Sequence, residues 1–248
     1  MKKSMTRELK AYARVLLNGK HGFFAFVTLF LFLVNFVMNT LLDSVFPGGG
    51  ALNLLLELVC SVLINVIFYL LLIGQKRLYL NVCRDEVFGT NDLFASFTGH
   101  PEQIAIYSVL QFFLQSLLLY NGGLWILIGI WNAASLRTAL LLFAAALAGS
   151  IFLIWIQLIL SFVLYIFVDE PWITAKEAVK KSVSLMNGNK WKLFRLQLSF
   201  LGMDLLCLLS FGIGSLFVEP YQGITETLFY LEVTGQGSFH QYNTGEYM

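Results

Sequence analysis

Charged residues make up only 12% of this 248-residue chain, and proline, cysteine and histidine number 4, 3 and 3. So little charge beside 58% hydrophobic residues excludes an ordinary soluble domain, in which about a quarter of the residues are charged. Lipid is therefore expected to cover most of the surface. Cys60 and Cys207 fall in apolar runs and Cys83 in an expected loop, with no paired spacing for zinc or for a disulfide framework, so all three read as reduced and structural. No His-Glu-x-x-His, Gly-x-Ser-x-Gly, Walker glycine loop or Cys/His ligand cluster occurs, and the expected role is non-enzymatic, without cofactor or metal. Gly48-Gly49-Gly50 lacks the lysine of a phosphate loop and reads as a turn, and His21 and His100 read as interfacial packing residues.

Positive charge is also missing from most of the chain, and where it occurs it is grouped. Lys2, Lys3, Arg7, Lys10, Arg14 and Lys20 precede the first apolar run; Lys76, Arg77 and Arg84 follow the second; Lys176 to Arg195 follow the fourth. Only Arg137 lies elsewhere, and no Lys or Arg follows Arg195. Short loops rich in Lys and Arg stay cytoplasmic, so the pattern predicts a multi-pass protein of the cytoplasmic membrane with its N-terminus inside. Basic residues beside apolar runs are explained by orientation and by attraction to anionic headgroups, which argues for membrane lipids and against nucleic acid as partners.

A span needs about 20 apolar residues, and Phe23 to Leu42 and Leu52 to Ile73 each supply them. Their connector, Asp43 to Gly50, contains Pro47 and no Lys or Arg, as expected of a turn on the outside. A third run, Ile104 to Trp131, is interrupted by Asn121-Gly122-Gly123; a fourth covers Thr138 to Val168; a fifth begins near Leu193 and reaches Ser210. The first run is too long for the core of a cleavable signal. After a tight turn at Phe211-Gly212-Ile213-Gly214, a less apolar segment ending near Val233 reads as a sixth span, five spans plus an interfacial C-terminal helix being the alternative. The expected fold is thus an all-α transmembrane bundle of about six spans in one domain over residues 1–234, followed by a flexible polar tail, 235–248.

Two segments before spans are amphipathic on a helical wheel. Met5, Leu9, Tyr12 and Leu16 oppose Arg7, Lys10, Arg14 and Asn18; Trp172, Ala175, Val179, Val183 and Met186 oppose Glu177, Lys180, Lys181 and Ser184. Such helices suit the cytoplasmic interface, and packing on the bundle is the plainer alternative. They also belong to a repeat: Arg7-Glu8 and Leu16-Leu17-Asn18-Gly19 match Lys176-Glu177 and Leu185-Met186-Asn187-Gly188 in spacing, with a fainter copy at Leu93, Phe97 and Gly99. Units starting near residues 5, 90 and 172, each an amphipathic helix plus two spans, would make three parallel repeats.

In the last third of the chain the residues Asp169-Glu170-Pro171, Glu177-Ala178, Ser182, Leu185-Met186-Asn187-Gly188-Asn189-Lys190, Leu198-Ser199-Phe200-Leu201-Gly202, Gly212-Ile213-Gly214, Pro220-Tyr221 and Phe229-Tyr230 form a recognisable pattern. It resembles the bacterial integral membrane family catalogued as domain of unknown function 975. The chain departs from that pattern at Met203, where a Trp is usual, and in lacking a Pro-Gly turn between spans three and four, which marks a divergent member. The resemblance implies a multi-pass bacterial membrane protein and assigns no activity and no site residue.

Among polar residues in apolar runs, Asp204 stands midway along the fifth with no cation within reach in its own helix, and Glu57 lies inside the second. Ionisable groups in spans are costly and face a bundle interior or a wet cavity. With Glu219, beside Pro220, they form the candidate intramembrane polar site, to which Asn35, Asn39, Asn65, Gln111, Gln115 and Gln157 add amides that read first as interhelical hydrogen-bonding groups. Lys10, Arg14, Lys176, Lys180 and Lys181 are the candidate headgroup contacts. The leading expectation is a membrane module that binds or organises lipid or scaffolds partner proteins, itself among them as a homo-oligomer. The alternative is a small transporter or permease component that uses Asp204 and Glu57.

Overall fold

A computed structural model describes residues 2–46, 50–98, 101–119 and 136–236, and among these no strand occurs. The helices are α1 (Lys2–Leu17), α2 (His21–Val45), α3 (Ala51–Cys83), α4 (Pro101–Leu119), α5 (Leu136–Leu160), α6 (Val163–Asp169), α7 (Ala175–Met186), α8 (Lys190–Leu198), α9 (Leu201–Leu209) and α10 (Ser215–Thr234), with two 3-10 turns, Thr90–Leu93 and Ala95–Phe97, between α3 and α4. Three stretches are long and apolar enough to cross a membrane: His21–Val45, Ala51–Cys83 and Arg137–Asp169, the last covering α5 and α6 across a short joint at Ser161-Phe162. Asn121-Gly122-Gly123, Gly99, His100, the Gly48-Gly49 part of the glycine run and the tail from 237 onward lie outside the described residues.

The amphipathic helices form as their periodicity predicts and pack on the bundle. α1 buries Leu9, Ala13 and Leu17 and lies against α10, leaving Arg7, Arg14 and Asn18 exposed. α7 begins at Thr174, whose hydroxyl accepts from Glu177 N while the Glu177 carboxylate accepts from Thr174 N. Its buried stripe is Ala175, Ala178, Ser182 and Met186. Trp172 and Val183, expected on that stripe, are instead exposed, because small Ala178 and Ser182 let α7 approach α5 closely enough for the Ser182 hydroxyl to donate to Ile159 O. The repeat has a geometric counterpart. Gly19 and Gly188, one after each Asn, both adopt positive φ, +76° and +80°, ending the amphipathic helix in the left-handed conformation glycine takes without a Cβ penalty.

Two boundaries and the burial of one helix differ from expectation. α3 does not stop near Ile73 but runs on to Cys83, which is buried rather than in a loop, so Lys76 and Arg77 sit within the helix. The fifth run is divided into α8 and α9, joined at Ser199-Phe200 by bonds of the 3-10 type such as Phe200 N to Gln197 O. The less apolar α10 is among the best enclosed elements, with Pro220, Tyr221, Gly223 to Thr225 and Thr227 to Leu231 buried against α1, α2 and α3. The turn before it, with Phe211 and Gly212 at φ +53° and +86°, is where the sequence put it.

Burial is concentrated at one end of the bundle, the basic end, where Lys20, Lys76, Arg84 and Lys181 lie. Phe24, Val27 and Leu31 of α2, Leu78 to Leu80 of α3, Tyr165 to Phe167 of α6 and Leu228 to Leu231 of α10 form the core there. Toward the far end α3 exposes Leu52, Leu54, Leu55, Leu58 and Val59, α5 exposes Leu140 to Phe143 with Ile151 and Phe152, and α9 buries nothing.

Candidate functional site

At the basic end the C-termini of α3, α6 and α10 converge on one polar cluster. The Arg84 guanidinium Nη2 donates to Asp169 Oδ1 at 2.8 Å and to Gln236 Oε1 at 2.6 Å, and Tyr230 Oη donates to the other carboxylate oxygen, Oδ2, at 2.7 Å. One guanidinium and one carboxylate thus tie three helix ends together. Glu170, which pairs with Lys181 of α7, shares with this cluster an open recess lined also by Leu185 and Thr234.

Two turns deeper, the half-buried Lys76 ammonium lies 5.2 Å from the Tyr165 ring centroid and 5.6 Å from that of Tyr79. Stacking of Tyr165 on Tyr230 at 5.0 Å and a bond from Thr227 Oγ1 to Tyr165 Oη bring α6 against α10 at this level. Gln75, buried at 2% exposure, donates from Nε2 to both Tyr79 Oη and Glu219 Oε1. The aromatic faces and two nearby carboxylates, Glu219 and Glu226, accommodate a cation that a purely apolar interior would reject. Sequence reasoning counted Lys76 and Arg84 only as orientation charges. The usable signal was the apolar pattern Leu78, Tyr79, Leu80 and Val82 continuing beyond Lys76 and marking the helix as unfinished.

The residues singled out from the sequence are distributed differently. Asp204 is exposed, accepts a hydrogen bond from Gln222 of α10, and lies in electrostatic reach of Lys10. Glu219 faces Gln75, while Glu57 sits in the exposed part of α3, where its backbone carbonyl accepts from Ser61. Each carboxylate therefore has its own surroundings, and no contact joins the three among the described residues. Of the amides expected between helices, Gln115 Nε2 donates to Tyr69 Oη at 2.9 Å across to α3, whereas Asn39 bonds back to Asn35 within α2 and Gln111 to Tyr107 within α4.

Of the five candidate headgroup cations, Lys10, Arg14 and Lys181 are engaged by the protein's own groups. Lys10 Nζ donates to Ser199 O at 2.8 Å and stands 3.8 Å over the Phe200 ring, satisfying a carbonyl at the α8–α9 joint. Burial, with Arg14 beside it, pulls the Lys10 ammonium below its ordinary range against the opposing pull of Asp204. Arg14 Nε donates to Tyr221 Oη at 3.2 Å. Lys181 is engaged by Glu170, and Lys176 and Lys180 remain exposed, as do Trp172 and Trp191 at 81% and 61%.

Among the described residues no three His, Cys, Asp or Glu side chains group as a metal site. The molecule is thus an all-helical protein of helical hairpins, several with the length and apolarity of membrane spans, closed at one end by a polar cluster. It belongs to the family described as protein of unknown function (DUF975), whose model matches residues 1–237. Neither the curated proteins nor the solved structures offer a match to it.

Proposed function

We propose that this chain is a non-enzymatic, multi-pass module of the bacterial cytoplasmic membrane that binds or organises lipid, or scaffolds partners there. The observation that carries the reading is the exposure of Leu52, Leu54, Leu55, Leu56, Leu58 and Val59 over more than half of the circumference at the start of α3, the face of Asn53, Glu57 and Cys60 being partly covered. Aqueous exposure of so continuous an apolar surface is unfavourable by about 25 cal/mol for each Å². Acyl chains satisfy it. Exposed Trp172 and Trp191 and exposed Lys176 and Lys180 supply the amphipathic rings and cations that suit a headgroup layer. The grouping of Lys and Arg supports a cytoplasmic N-terminus. The six-span reading requires the α9–α10 hairpin to cross the bilayer as α2–α3 does.

Native mass spectrometry of the protein released gently from its membrane tests the reading, comparing wild type with Asp204→Asn. Stoichiometric phospholipid retained on both forms is expected, and the same spectrum reports any homo-oligomer. A small polar solute retained by wild type alone would overturn the reading in favour of a transport site at Asp204.

A further inference from the structure

The three helical hairpins are anchored at a common level but differ in reach. Arg84, Asp169, Tyr230 and Gln236 hold the ends of α3, α6 and α10 together, so helix length measured from that cluster is depth. Ala51–Cys83 and Arg137–Asp169 each have 33 residues and α10 has 20, which at 1.5 Å per residue is about 50 Å for the first two and about 30 Å for the third. A second level gives a still larger difference: Gln75 faces Glu219, and a Cβ on Gly223 would stand 2.3 Å from the Tyr79 ring, so α10 runs alongside α3 there. Beyond Gln75, α3 continues for about 36 Å to Ala51, whereas beyond Glu219 only Ser215 to Val218 and the turn remain, about 10 Å. The hydrocarbon core is about 30 Å thick.

We infer that the C-terminal hairpin, α9 with the start of α10, is a wedge confined to the leaflet at the basic end, its tip covered by the acyl chains of that leaflet and not crossing the bilayer. The inference rests on the membrane reading above and deepens it. The tip has the surface such a wedge needs: Leu205, Leu206, Leu208, Leu209, Phe211 and Ile213 are exposed, Phe211 at 98%. Its polar residues lie back from the tip toward the basic end, Asp204 on Gln222, Gln197 on Glu226 and Lys10 on Ser199. A carboxylate there avoids the desolvation that the bilayer centre would impose. Apolar volume inserted into one leaflet alone expands that leaflet, which gives the module a means of acting on curvature and lipid packing.

The test is site-directed labelling of the full chain with Cys60 and Cys207 changed to Ser and Cys83 to Ala, carrying either Gly50→Cys or Phe211→Cys. A membrane-impermeant maleimide is applied to vesicles of each orientation, and a fluorophore at position 211 is read against nitroxide-labelled phospholipids. Position 50 is expected to label from the far side, and position 211 to lose labelling from both sides and to be quenched more by acyl-chain than by headgroup nitroxides. Labelling of 211 from the far side would overturn the wedge in favour of a full span. Labelling from the basic side, or stronger quenching by headgroup nitroxides, would overturn it in favour of a surface helix. Failure of position 50 to label from the far side would instead remove the membrane-crossing reading itself.

Discussion

The basic half and the far half of this bundle are made from the same helices and are held in different ways. Near Arg84 the chain satisfies its own surface: aromatic rings stack, Gln75 donates to two partners, and α10 is enclosed on most sides. Toward Ala51 and Leu136 the helices expose leucines over most of their surface. Stability in the first half comes from close packing and polar closure, and in the second from whatever apolar medium surrounds it. The difference teaches that hydropathy alone does not report packing in this fold. The more apolar ends are the less buried, and the moderately polar α10 is at the centre.

Substitutions in each half sharpen the contrast. The largest effect is expected at Gly74, where a Cβ would approach the Leu93 carbonyl oxygen to 2.2 Å. Gly74→Val should cost about 3 kcal/mol, read as loss of the folded monodisperse species on heating in detergent, because backbone cannot move aside as a side-chain tip can. Leu54→Ala, on the exposed far half, should stay within about 0.5 kcal/mol in the same assay. Equal losses at the two positions would break the comparison. Arg84→Ala is expected to cost about 1–2 kcal/mol, below the value for a fully buried pair because the Arg84 and Asp169 side chains are 28% and 12% exposed.

A smaller effect concerns the exposed cations. Lys176→Gln with Lys180→Gln should weaken association of detergent-free proteoliposomes with anionic vesicles about 30-fold at low salt, at about 1 kcal/mol for each lysine. Lys181→Gln should change it less, because Glu170 already engages that ammonium. The smallest concerns Glu177, whose carboxyl is held below the usual carboxylate range by hydrogen bonds from the Thr174 hydroxyl and backbone N–H. A lowered folded-state value stabilises α7 at pH above the ordinary carboxylate range and loses that contribution as the pH falls through the lowered value. Protection against hydrogen exchange in the first turn of α7, relative to the intrinsic rate at each pH, should therefore fall on strong acidification in wild type, and Glu177→Gln should remove most of that pH dependence.

Much of the architecture was legible in the sequence, because runs of 20 apolar residues, clustered Lys and Arg and paired Asn-Gly steps each have a direct geometric meaning. Gly19 and Gly188 took the same left-handed conformation, and the turn at Phe211–Gly214 fell where it was expected. What was hidden depended on partners distant in sequence. Lys76 reads as the end of a span until Tyr79 and Tyr165 are known to offer their ring faces. Glu219 and Glu226 weaken α10 as a span until Gln75 and Gln197 are known to donate hydrogen bonds to them. The stripe of α7 was misplaced because Ser182 counts as polar, although its hydroxyl is spent on Ile159 O. Asp204 drew attention as an isolated carboxylate, and its partners, Gln222 and Lys10, lie on α10 and on the N-terminal helix.

The most direct test of the account is photo-crosslinking in native membranes with phospholipids carrying a diazirine in the acyl chain, followed by mapping of the modified residues. The account predicts adducts over residues 52–63, 138–152 and 205–217 and none over 78–83, 162–167 or 224–231. Adducts spread evenly along α3, α6 and α10, or absent from the start of α3, would contradict it.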